Sequence, residues 1–197
     1  MKINKHSLIF IILVLPFFNS ALAFDDVDSQ NEDESYAYQA PSIVDMRSEL
    51  ANIYTLLNEV KPPIINQYCP LRKQDNFTSI PNYFADYFKI VDEDDFSLLK
   101  LGEIKQKKLL LLSSYSESGS PNLTFITLSD HFDFLDKLVL SGQYEVEYGF
   151  VNLDYIIDSN YRITLKEIEY VDYKLPKLLS ERHYIINEAG FFVEKYE

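Results

Sequence analysis

Residues 108–128, KLLLLSSYSESGSPNLTFITL, carry the reading on which the fold turns. The leucines at 109–112 form an unbroken apolar run, the pattern of a strand covered on both faces. Ser118-Gly119-Ser120-Pro121 is turn chemistry, and residues 123–128 resume the apolar character, so the stretch predicts a β-hairpin. Toward the C-terminus, residues 135–140 read as a third strand, closed by Ser141-Gly142. Tyr144, Val146 and Tyr148 then alternate with Glu145 and Glu147. After Gly149 the apolar set moves to Val151, Leu153, Tyr155 and Ile157, a slip of one residue that predicts a bend, bulge or turn at the glycine. Asp158-Ser159-Asn160 turns the chain into Tyr161, Ile163 and Leu165, and a second slip, to Ile168 and Tyr170, predicts a bulge near Lys166-Glu167. A last hairpin joins residues 184–186 to 191–193 through Asn187-Glu188-Ala189-Gly190.

Short strands joined by short turns predict an antiparallel β-meander of about six or seven strands. Upstream, Ile43, Met46, Leu50, Ile53, Tyr54 and Leu57 recur at helical spacing. Ser42 is placed to cap that helix and Pro62-Pro63 to end it, so a helix is predicted over 42–60 with its apolar stripe on a sheet face. The fold class expected is therefore α+β, a meander packed against an N-terminal helix. Between these elements, residues 81–88 suggest a short helix and Asp92-Glu93-Asp94-Asp95 a solvated acidic turn.

The N-terminus has its own signature. Lys2 and Lys5 precede an apolar run from Leu8 to Phe18, and Ala21-Leu22-Ala23 stands before Phe24-Asp25-Asp26. This is the three-part layout of a secretory signal peptide, residues 1–23, and it predicts a periplasmic or secreted product. The run is short and broken by Pro16 and Asn19, and no second hydrophobic stretch of spanning length follows, so stable membrane insertion after cleavage is not expected. Residues 24–41 hold six acids and no base, which predicts a flexible acidic arm. The body of the protein is then a single domain over 42–197, β-rich from 108 onward.

Eighteen basic residues face 31 acidic ones, a net charge of −13, and the leader removes two of the lysines. Such a field repels nucleic acid and anionic lipid and speeds encounter with cationic proteins. Five glycines and no phosphate-cradling loop argue against nucleotide chemistry. Cys69 is the only cysteine, so no intramolecular disulfide forms, and its apolar neighbours suggest a buried thiol, with a bridge to another chain as the alternative.

Catalytic signals are sparse. Asp130-His131 with Ser113, Ser114 and Ser116 supplies the residue types of a triad, but adjacent Asp and His point apart on an extended chain. His183 has no clustered ligands beside it, so no metal or cofactor is expected. The stronger pattern is acids interleaved with tyrosines on the later strands. Glu145, Glu147, Asp154, Asp158, Glu167 and Glu169, with Tyr144 and Tyr148, are the candidate partner-binding residues. The functional expectation is an exported, non-enzymatic binding protein for a basic protein partner, such as an inhibitor or immunity protein that masks a toxin or hydrolase. The competing readings are a secreted hydrolase using carboxylates and a carbohydrate- or envelope-binding module using exposed tyrosines.

Overall fold

Two hydrophobic cores lie on opposite faces of the same three strands, and the leucine run divides itself between them. The structure, a computed structural model, describes residues 41–66, 76–116 and 121–196, all within the compact unit Gln39–Glu197. The leader, the arm up to residue 40, Cys69 and the turn residues 118–120 lie outside the described residues. Helix α1 (Ile43–Leu56) comes first, followed by the short strands β1 (Ile64–Asn66) and β2 (Thr78–Ser79) and the one-turn helix α2 (Phe84–Tyr87). Strands β3 (Glu93–Ile104), β4 (Lys107–Ser116), β5 (Pro121–Leu128) and β6 (Phe134–Val146) form the first half of the sheet. Strands β7 (Gly149–Ile157), β8 (Ile163–Val171), β9 (Lys177–Ile186) and β10 (Phe192–Lys195) form the second.

Ser42 caps α1 as expected, its Oγ accepting from the Asp45 amide at 3.3 Å. The helix stops at Leu56, four residues short of the predicted end. Residues 58–60 turn extended ahead of the prolines and pair with β3 instead: the Lys100 amide donates to Asn58 O at 3.0 Å and the Val60 amide to Lys100 O at 2.9 Å. Met46, Leu50, Tyr54 and Leu57 are buried from the apolar stripe, whereas Ile43 at its start is 60% exposed.

The strands run β10-β9-β8-β7-β6-β5-β4-β3-β2, with β1 added to β7, and every strand pairing is antiparallel. The expected meander is present, with ten strands among the described residues in place of six or seven. Period-two alternation explains the two cores. Leu98 of β3, Leu110 and Leu112 of β4, and Ile126 and Leu128 of β5 face α1 and α2. Leu99, Leu109, Leu111, Leu123 and Phe125 face the other way, onto Val60, β1 and the apolar side of β7–β9.

The 13-residue β6 links the halves. Its residues up to Ser141 pair with β5, and from Gly142 onward they pair with β7. The second half thereby wraps back over the first, and the last hairpin seals it. Thr127 Oγ1 donates to Gly190 O at 2.6 Å, the Phe192 amide donates to Asp136 Oδ2 at 2.8 Å, and the Phe125 and Phe192 rings meet edge to face at 5.2 Å. Gly190, at φ +95°, makes the turn that the sequence assigned to it. The predicted bulge also appears, as a register shift between Glu167 and Ile168.

One local expectation is overturned. Residues 93–95 do not form a solvated turn; they open β3, with Asp92 and Asp95 at positive φ. Glu93 is drawn inward, its carboxylate accepting from Asn122 Nδ2 at 2.7 Å and from the hydroxyl of buried Ser114. A carboxylate with two donors satisfied has reason to leave solvent that its three acidic neighbours lack.

Candidate binding surface at the end of the sheet

The overhang of the second half beyond its core sets the candidate surface. Gly149 pairs with Val146 on one side and Val171 on the other, which brings the two-residue turn Glu147-Tyr148 beside the loop 172–176. Glu147, Tyr148, Asp172 and Lys174 together line an open cavity of about 550 Å³ there. Among the described residues neither core cluster includes the residues of this turn and loop. Tyr148 and Leu175 are 70% and 91% exposed, Tyr173 is fully exposed, and Tyr144, Leu178 and Leu179 are each more than 40% exposed. Single exposed apolar side chains are ordinary, but several gathered at one end of a sheet make it a candidate interaction surface. Phe150 and Tyr170, cross-strand partners, stack at 5.1 Å on its outer side.

Charge at the tip comes from Glu145, Glu147, Glu169 and Asp172 against Lys174 and Lys177. The neighbouring Glu147 carboxylate raises the pKa of the Tyr148 phenol. Of the candidate residues, the structure gathers Tyr144, Glu145, Glu147, Tyr148 and Glu169 at this end. Register divides them between faces: Tyr144 and Glu169 flank Val151 on the inner side, and Glu145 lies opposite Phe150 on the outer side.

The other three are elsewhere, and two of them are occupied. Asp158 closes the β7–β8 turn at the opposite end, its Oδ1 accepting from the amides of Asn160 at 2.8 Å and Arg162 at 2.9 Å. Glu167 accepts from Ser180 Oγ and Arg182 Nη2, both at 2.8 Å. Asp154 stands opposite Lys166 mid-sheet, and desolvation raises its carboxyl pKa. Ionising Asp154 is harder in the folded chain than in the unfolded one, so this group detracts from stability once pH exceeds the ordinary carboxylate range. Asp154→Asn is expected to raise the melting temperature at pH 7 and to leave it unchanged near pH 3, as measured by thermal unfolding at both pH values.

Leu175, Leu178, Leu179 and Phe150 belong to the surface without having been singled out from sequence. For the three leucines the signal is the segment 175–179, Leu-Pro-Lys-Leu-Leu, in which apolar residues recur without alternation next to a proline and a lysine.

Catalytic constellations do not form around the residues that suggested them. His131 is exposed with Asp130 Oδ2 3.6 Å from its Nε2. Ser114 lies six positions along β4 from Lys108, whose partner Leu128 marks the His131 end, a distance of about 20 Å. Among the described residues no group of three or more His, Cys, Asp or Glu is placed to hold a metal ion, and no helix is long and apolar enough to cross a membrane. Comparison with protein-family models, curated proteins and solved structures finds no match to this chain.

Proposed function

We propose that this protein is a non-enzymatic binding module, exported as its leader implies, that docks a cationic protein on the tip of its sheet. The observation that carries this reading is the exposure of Tyr144, Tyr148, Tyr173 and Leu175 at one end of the sheet, where Glu145, Glu147 and Asp172 also lie. Tyrosine gives large contact area for little lost side-chain freedom and is enriched among residues that dominate binding energy. Carboxylates around it steer and orient a positive partner, and the net charge of −13 extends that attraction beyond contact. A function as inhibitor or immunity protein follows if the tip covers the basic rim of a toxin or hydrolase active site.

The test is affinity capture from periplasmic or secreted material with two baits, the full chain and its Tyr144→Ala/Tyr148→Ala/Tyr173→Ala variant. These side chains are exposed, so the variant is expected to melt as the parent does. The parent should retain one dominant basic protein and release it near 1 M salt, where the screening length is about 3 Å. The variant should bind that protein about 100-fold more weakly or worse. Equal retention by both baits, or retention indifferent to salt, overturns the reading.

A further inference from the structure

The opposite end of the second half holds a feature of reversed charge. Register places Ile156 of β7, Thr164 of β8, His183 of β9 and Lys195 of β10 in one row across the outer face. With Arg162, just before β8, and Ile185, these side chains line a cavity of about 540 Å³, within the range of small-molecule sites. It lies about seven strand positions, or roughly 24 Å, from the aromatic tip.

The charge balance is unlike that of the rest of the chain. Acids outnumber bases 31 to 18 overall, yet three basic side chains line this cavity with one carboxylate, Asp158. That carboxylate is engaged by the two backbone amides of its own turn. Among the described residues neither Arg162 nor Lys195 has a carboxylate within ion-pair distance. His183 is held with Nδ1 3.2 Å from Thr164 Oγ1 and Nε2 3.7 Å from Glu181 Oε1, so it is partnered locally. Two committed cations against one carboxylate leave one positive charge, which suits a monoanion better than a phosphate dianion. Arg162 offers the planar fork that grips a carboxylate, and the isoleucines offer a floor with no use for a second polar group.

We infer that this cavity binds a small amphipathic carboxylate, its head between Arg162 and Lys195 and its apolar body over Ile156 and Ile185. The site is independent of the tip and of any protein partner. Calorimetric titration of the full chain with decanoate, butyrate, decylammonium and inorganic phosphate tests it. Decanoate is expected to bind, with affinity rising up to about fourfold for each buried methylene beyond butyrate. Arg162→Ala and Lys195→Ala are each expected to weaken it tenfold or more, whereas Lys174→Ala at the far end changes nothing. Both target side chains are exposed, and unaltered melting of the variants will show that the fold is intact. Chemical-shift changes on adding decanoate should centre on His183 and Ile156. Binding of decylammonium or phosphate as tight as that of decanoate, absence of decanoate binding, affinity unchanged in both variants, or shifts centred on the tip would each overturn the inference.

Discussion

Gly149→Ala is expected to destabilise the protein by about 3 kcal/mol or more. A β-carbon at this position would sit 1.9 Å from the Tyr170 carbonyl oxygen and 2.9 Å from its carbon, and backbone in a paired strand does not step aside. At about 2–4 °C per kcal/mol for a chain of this size, the melting temperature should fall by roughly 6–12 °C. Gly142→Ala is the matched control. Its β-carbon would meet the side-chain oxygen of Asn122 at 3.1 Å, a group able to shift, so a loss within about 1 kcal/mol is expected. Thermal unfolding followed by circular dichroism checks both. A Gly149→Ala protein that melts like the parent would mean that β7 and β8 do not approach in this register.

The second large effect concerns neighbouring leucines on one strand. Leu110 and Leu111 are both fully buried, but they belong to different cores. Each change to alanine is expected to cost about 2–5 kcal/mol in urea unfolding, through lost transfer energy and the cavity left behind. Because the two side chains share no core, the double variant should lose the sum to within about 0.5 kcal/mol. A strand with one wet face behaves otherwise: one substitution is costly and the other nearly silent. That outcome would remove the second core.

Those same leucines show why much of the fold was legible. Four consecutive apolar residues need cover on both sides, and the hairpins at Gly149 and Gly190 and the bulge at Glu167 each left a mark in local sequence. β3 left less of one. Its acidic opening resembles a loop, and its buried set of Phe96, Leu98, Leu99 and Leu101, interrupted by Ser97 and Lys100, has no clean period. The register shifts along β3 break the alternation, and they depend on its pairing with β4.

The candidate surface was half legible for a related reason. Alternation shows that Tyr144 and Glu145 face opposite ways, but not how far along β6 and β7 the core extends. Only the register shows that Tyr144 and Glu169 overhang it on the inner side, whereas Glu167, two residues nearer the centre, is neutralised by Arg182. Asp158, which the sequence offers both as a turn residue and as a candidate binding acid, serves in the fold as the turn acceptor.

The hairpin of Gly190 and Phe192 reaches back some 60 residues to Thr127 and Asp136. Among the described strand pairs it is also the one made latest. Until it arrives, the inner side of β3–β5 has an incomplete roof, and the nascent polypeptide keeps greasy surface open. Completion of that core is thereby tied to the arrival of Gly190 and Phe192, which sets the order in which the two halves can close.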